Sequence, residues 1–349
     1  MERTERSASL SKQMTERVQK VKKDEKEEYD GNFGKVISTG STLLNLTISG
    51  GRCRGGGLPG GILVEIFGPS GSGKTVLLSE IAGAVQREGG EIMFHDPEAR
   101  LDTPFAAMLG LKITNDNYFR PNTVPEIFDP IRKWNVKKNV INGIFADSLA
   151  ALSTAMEMGE DGDPYGTRRA KEFSEGLRKT CRIIKDENYL MVCSNQIRDV
   201  IGASQFQPKT ATPGGKAWTF YPSLRLNTTV TKKHKVDKKF AGKVISKIIG
   251  VRTEVHVYKS SIWEPYHSAP VTILFDYGVD DIRENLQFIK DYSKHTIYTL
   301  KGEGLDKSLN ESIKIIEEDA LEEQLREEVI DLWETIEREF KTERKPKRQ

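Results

Sequence analysis

Cysteine is scarce. Three thiols, Cys53, Cys181 and Cys193, are spread over 349 residues, and none forms a CxxC pair. An odd count without that spacing excludes a disulfide framework and a cysteine zinc site, and it fits a reducing compartment. Long apolar runs are missing too: no stretch approaches the roughly 20 residues of a membrane-spanning helix. Residues 1–28 alternate acid and base with no apolar h-region, so no secretory leader is expected and the cytosol is the expected location. No internal repeat is visible, which removes solenoids and propellers. Nor is there an excess of one charge: 53 Lys and Arg face 51 Asp and Glu, a formal net charge of +2. That balance hides local extremes, which carry more information than the total. The chain is 37% apolar and 30% charged, the profile of a well-solvated protein long enough for one large core with appendages.

Four zones follow from the patterning. Residues 1–31 have mixed charge and few large apolar side chains, but Leu10, Met14 and Val18 fall at i, i+4 and i+8. This spacing predicts a thin apolar stripe on a short helix, suited to a docking arm or to a frayed terminus. Residues 32–280 are the core. Apolar runs at 62–67, 91–95, 140–146, 189–194, 223–229, 254–258 and 271–275 alternate with amphipathic stretches. The alternation predicts an α/β fold with a central twisted sheet, mostly parallel early and antiparallel later. Within it, residues 231–247 are lysine-rich around Phe240-Ala241-Gly242 and read as a solvated hairpin tip, with backbone contact to nucleic acid as a secondary reading. Residues 281–340 predict a small α+β C-terminal domain. It ends in an acidic helical region where Ile313, Ile316, Leu321, Leu325, Val329, Leu332 and Ile336 keep near-helical spacing. Residues 341–349 are a basic tail, expected to be disordered.

The chemistry begins at Gly68-Pro69-Ser70-Gly71-Ser72-Gly73-Lys74-Thr75, which fits G-x-x-x-x-G-K-[ST] and leads into Val76. It follows an apolar strand and opens an amphipathic stretch, the context a phosphate-binding loop needs. Glycines let backbone N–H groups turn toward phosphate oxygens, and the helix N-terminus adds partial positive charge. Lys74 is placed to bring a point charge to the β- and γ-phosphates of ATP, and the Thr75 hydroxyl to ligate Mg2+. The strand at 140–146 delivers Asp147 at its C-terminal edge, the expected position of the second magnesium-holding acid. The strand at 91–95 runs into an acidic loop in which Glu98 can face the γ-phosphate.

At these residues the sequence resembles the RecA family, over nearly the whole chain. Residues 37–41, 56–60 and 64–69 resemble the approach to that family's phosphate loop. Asp96-Pro97-Glu98-Ala99-Arg100-Leu101-Asp102 resembles its segment bearing the catalytic glutamate. The resemblance implies a RecA-like P-loop ATPase core, with Glu98 as general base and Asp102 and Phe105 against adenine. Ser194-Asn195-Gln196-Ile197-Arg198, then a Gly/Gln/Thr-rich stretch and Phe220-Tyr221-Pro222, resembles the family's second DNA-binding loop. There Gln196 would sense the γ-phosphate. Arg198, Val200, Ile201, Gly202, Phe206, Lys209, Thr212, Gly214, Gly215 and Lys216 would meet DNA. The loop's chemistry agrees: isolated apolar side chains on a polar segment can wedge between bases, while lysines and backbone N–H groups take phosphates. Tyr165, Gly166, Arg168 and Arg169 resemble the first DNA-binding loop.

Residues 298–304 and the acidic helix beyond them resemble the C-terminal domain of bacterial RecA, and point to the bacterial or bacteriophage branch. Departures are also visible. Lys259 matches one of two lysines that in the family reach ATP from the adjacent subunit, but Ser261 stands where the second is expected and Thr219 replaces an interface lysine. The basic tail replaces an acidic one. The resemblance implies a DNA-dependent ATPase that forms helical filaments on single-stranded DNA, pairs it with homologous duplex and exchanges strands. It needs no membrane, and the expected setting is the nucleoid of a bacterial or phage-infected cell. The alternatives are a RecA-fold regulatory module that binds ATP without strand exchange, and a ring-forming helicase motor.

Overall fold

The computed structural model describes residues 34–153, 167–199, 210–211, 217–293, 295–341 and 344. The predicted N-terminal arm and most of the basic tail lie outside the described residues. β1 (Val36–Ile37), α1 (Thr42–Ser49) and β2 (Leu58–Pro59) lead in. Then come β3 (Ile62–Gly68), α2 (Lys74–Arg87), β4 (Ile92–His95), α3 (Thr103–Met108), β5 (Tyr118–Phe119), α4 (Val124–Ile131) and β6 (Gly143–Ala146). After them follow α5 (Thr167–Asp186), β7 (Leu190–Gln196), β8 (Arg198–Asp199), β9 (Thr210–Ala211) and α6 (Ala217–Phe220). Two long strands, β10 (Leu224–Phe240) and β11 (Lys243–Ser260), precede β12 (Ser268–Leu274), β13 (Gly278–Val279) and α7 (Asp281–Tyr292). The last elements are β14 (Thr299–Leu300), β15 (Glu303–Gly304), α8 (Leu309–Glu318) and α9 (Glu322–Glu339).

Nine strands form one sheet in the order β13-β12-β11-β10-β3-β7-β6-β4-β5. From β10 to β5 every neighbour is parallel, and from β10 to β13 every neighbour is antiparallel. The predicted division into parallel and antiparallel regions is the one that forms. β3 is buried along its whole length. Its near-continuous apolar sequence reflects helices covering both faces, the usual setting of a parallel strand.

One face carries α4 and α5. Phe128 and Ile131 of α4 join Phe173, Leu177 and Ile184 of α5, Ile144, Met191 and Trp218 in one buried cluster. The helical spacing of these residues turns one stripe of each helix to the sheet. Each fully buried Phe or Leu contributes about 1.5–3 kcal/mol, so the cluster gives the strands a rigid base. α2 covers the sheet with Leu77, Leu78, Ile81 and Val85. Around β12, α1 meets α7 and α9. The backbone N–H and hydroxyl of Thr42 each donate to Asp281 at 2.7 Å. Arg54 reaches Glu327 at 2.6 Å and Asp331 at 2.9 Å on α9, and Trp263 and Trp333 stack edge to face at 5.5 Å.

The largest difference from expectation is the length of β10 and β11. The runs at 223–229 and 254–258 are only the buried ends of strands that continue to Phe240 and back from Lys243. The remainder is exposed and lysine-rich, so it has no buried face for an apolar alternation to reveal.

Candidate nucleotide-binding site

The parallel strands β3, β4, β6 and β7 end side by side, and the segments that follow them line a cleft of about 390 Å³. Ligands of open α/β sheets sit at that carboxyl edge. β3 delivers the loop from Gly68 to Gly73, and α2 begins at Lys74. Gly71 and Gly73 have φ of 73° and 88°, which glycine adopts freely. A Cβ on Gly73 would also lie 2.2 Å from Ile273 Cδ1. Ser70, Gly71, Gly73, Lys74, Thr75 and Val76 line the cleft. Gly68, Pro69 and Ser72 serve from behind it. The Lys74 ammonium donates to the Gly68 and Pro69 carbonyls at 3.1 and 2.7 Å, and the Ser72 hydroxyl is bonded to Thr228 at 2.7 Å. Burial pushes the Lys74 pKa down, opposed by the Asp147 and Glu98 carboxylates.

β6 ends at Ala146, so Asp147 enters the cleft as the next residue. Its Oδ2 accepts from the Thr75 hydroxyl at 2.6 Å, and its Oδ1 accepts from the Ser194 hydroxyl. Thr75 and Asp147 thus present a hydroxyl and a carboxylate to one point, a donor set that fits Mg2+. Ser194, on β7, joins the site in a way its place in the sequence does not reveal. Its role depends on strand order, which places β7 beside β6.

Glu98 follows β4 and lines the cleft, paired with Arg100 at 2.7 Å. Phe105 lines it as well. The Asp102 carboxylate instead caps α3, accepting from the Phe105 N–H at 3.1 Å, and it is not among the lining residues. Gln196 ends β7 directly opposite Gly68 in the parallel register, so one residue borders both the phosphate loop and the segment leading to Arg198.

Lys259 does not line this cleft. Its ammonium donates to the Thr219 and Phe220 carbonyls at 3.1 and 2.7 Å, and burial and the nearby Arg225 push its pKa down. Ser261 donates its N–H to the Ser223 carbonyl at 2.7 Å. Of the residues expected to meet DNA, Arg168 and Arg169 open α5, with Arg169 donating to the Leu152 carbonyl at 3.2 Å. Arg198 lies on β8, with its side chain outside the description. Tyr165, Gly166, Val200, Ile201, Gly202, Phe206, Lys209, Thr212, Gly214, Gly215 and Lys216 lie outside the described residues.

Behind the site sits a buried ion pair that sequence reading missed. Arg225 of β10 donates to Glu65 of β3 at 2.6 Å, and Asn195 of β7 donates to the other carboxylate oxygen at 3.0 Å. Burial pushes the Glu65 carboxyl up, and Arg225 and Asn195 pull it back. The guanidinium also lies over the Phe67 ring, 4.6 Å from its centroid.

Comparison with known proteins agrees with this geometry. The model of the RecA N-terminal domain matches residues 16–280. Protein RecA of Clostridioides difficile (strain 630) is 34% identical over 257 residues, covering 73% of this chain and 70% of that protein. On the sequence match and the strand-edge cleft together, the chain belongs to the RecA family of DNA recombinases.

Proposed function

We propose that the chain hydrolyses ATP in this cleft in response to single-stranded DNA, and that the cycle drives a helical filament through homologous pairing and strand exchange. Membership of the family makes it a protein of DNA recombination and repair. The supporting observation is convergence: Lys74, Glu98, Asp147 and Gln196 reach one cleft from the ends of four adjacent parallel strands.

In this reading Lys74 and the backbone N–H groups of the loop hold the β- and γ-phosphates. Thr75 and Asp147 are the residues that would hold Mg2+, which supplies charge neutralisation across those phosphates. Glu98 takes the proton of the attacking water, and Phe105 packs against adenine. Gln196 passes the state of the γ-phosphate to residues 200–216, so that DNA binding is tight before hydrolysis and loose after it. Lys259 lies outside its own cleft, as expected of a residue that acts on the nucleotide of an adjacent subunit. The proposed domains are an arm at 1–31, the ATPase core at 32–280, a C-terminal domain at 281–340 and the tail at 341–349. Among the described residues no helix is long and apolar enough to cross a membrane, and the proposed setting is the cytoplasm of a bacterial or phage-infected cell.

Electron microscopy with ATP and single-stranded DNA tests the reading. Long helical filaments are expected. Closed rings would indicate a helicase motor, and unassembled particles a regulatory module.

A further inference from the structure

We propose that Asp96 and Tyr118 are positioning residues for hydrolysis: together they fix the loop that carries Glu98 toward the γ-phosphate. This role rests on the ATPase reading of the cleft. Glu98 has little of its own to hold it in place. Its carboxylate pairs with Arg100 at 2.7 Å, and the Arg100 side chain is 78% exposed. An ion pair with so exposed a partner is screened by water and salt and holds its members weakly. Where Glu98 sits is therefore decided by the backbone on either side of it.

That backbone closes on one residue. Asp96 follows β4 directly and is buried at the wall of the cleft. Its N–H donates to the Phe119 carbonyl of β5 at 2.8 Å, which carries the β4–β5 pairing one residue further. Its own carbonyl accepts from the Ala99 N–H at 3.1 Å, so residues 96–99 form a tight turn with Glu98 inside it. Ala99 has φ of 51°, a left-handed conformation that residues with a Cβ rarely adopt. Such a conformation persists only where the surroundings impose it. Here the Asp96 side chain does so. One carboxylate oxygen, Oδ2, accepts from the Leu101 N–H at 2.8 Å and from the Tyr118 hydroxyl at 2.7 Å. The loop is thus tied at Ala99 by the main chain of Asp96 and at Leu101 by its side chain.

Tyr118 fixes the carboxylate in turn. Its ring stacks on Phe94 of β4, with centroids 6.5 Å apart and planes at 24°. Arg120 Nε donates to the Tyr118 oxygen at 3.4 Å. A phenol has one proton to give, and accepting from Arg120 leaves that proton for Asp96. Burial pushes the Tyr118 pKa up, which keeps the proton in place. The chain of bonds from Arg120 through Tyr118 and Asp96 to Leu101 runs from the edge strand β5 to the base of the Glu98 loop. Neither Asp96 nor Tyr118 has to touch the nucleotide for this. Their effect is geometric: misplacing a reacting group by about 1 Å costs on the order of 100-fold in rate.

The test is steady-state hydrolysis by the full-length chain with ATP, Mg2+ and single-stranded DNA. Tyr118→Phe keeps the ring on Phe94 and removes only the hydroxyl. It should lower kcat roughly tenfold, with KM for ATP and affinity for single-stranded DNA at the wild-type level. Asp96→Ala should lose roughly a hundredfold in kcat. Asp96→Asn offers an uncharged oxygen to the same two donors and should recover most of that loss. A double variant separates positioning from general damage. In a Glu98→Gln chain the loop no longer carries a base, so Tyr118→Phe should add nothing to the loss already present. An unchanged kcat in Tyr118→Phe would overturn the proposal. So would a loss expressed in KM, or a further loss of the same size in the Glu98→Gln background, since each would make the hydroxyl a packing or binding feature. Asp96→Asn as inactive as Asp96→Ala would also overturn it, because the carboxylate would then act through its charge. Wild-type turnover in Glu98→Gln alone would overturn the reading of Glu98 on which the role rests, so the two failures are distinguishable.

Discussion

The Thr75 hydroxyl donates to Asp147 Oδ2 at 2.6 Å, joining the phosphate loop to the end of a strand 72 residues away. The contact closes one corner of the cleft, and Ser194 fixes the carboxylate from the other side. A metal held there would depend on all three groups.

Asp147→Asn should therefore raise the Mg2+ concentration needed for half-maximal ATP turnover. Ser194→Ala should do the same through loss of orientation. Partners of metal-holding groups are worth roughly 10- to 100-fold in metal affinity. A magnesium titration checks both variants, and an unshifted curve for Ser194→Ala would reduce that hydroxyl to packing.

The Glu65–Arg225 pair is buried, with side-chain exposures of 0% and 5%. Removing one partner strands the other. Arg225→Ala should cost roughly 3–5 kcal/mol of stability, read as a lower denaturant midpoint. Glu65→Leu combined with Arg225→Met should recover most of it, because an apolar pair of similar volume leaves no buried charge. If the double variant were as unstable as the single one, the pair would contribute something beyond mutual neutralisation.

His95 ends β4 below the cleft. It is fully buried, its ring lies 5.3 Å from that of Phe119, and neither ring nitrogen has a hydrogen-bond partner among the described residues. Burial pushes its pKa down to about 4, from an ordinary value of 6.5. Between those values the unfolded chain binds the proton and the folded chain does not. The neutral ring's contribution is thus fully present above about pH 6.5 and is lost as pH falls toward 4. The full difference is about 3 kcal/mol. His95→Leu should flatten the fall in stability between pH 7 and pH 5, measured as the wild-type-minus-variant difference. A difference independent of pH would mean that the imidazole titrates normally.

Lys259 sits outside its own cleft, which sets up a mixing test. Lys259→Ala alone should impair hydrolysis and filament growth while leaving the fold intact. Subunits lacking Lys259 mixed with subunits lacking Glu98 should regain some turnover at junctions that combine the two intact groups. No recovery at any ratio would mean that Lys259 acts within its own subunit or not at all.

Much of the cleft was legible because its signals are local. The phosphate loop is eight consecutive residues, and Asp147 and Glu98 each follow an apolar strand within a few positions. Two contacts that escaped are non-local. Arg225 and Glu65 lie 160 residues apart and meet only because β10 docks beside β3. Ser194 finds Asp147 only through the β6–β7 pairing. Asp102, expected beside adenine, also has a local role that composition alone does not reveal: its carboxylate caps α3. The lysine-rich stretch reads as a hairpin tip from sequence, but its length is hidden because burial, the usual source of strand periodicity, is largely absent there.

Single-stranded DNA should drive ATP turnover in this cleft. Hydrolysis should be measured with and without single-stranded DNA at fixed salt, with Glu98→Gln alongside. Turnover should be slow without DNA and rise many-fold with it. Glu98→Gln should lose about a hundredfold or more with ATP binding retained, since the amide fills the same space but takes no proton. Turnover that ignores DNA, or that survives in Glu98→Gln, would contradict that mechanism.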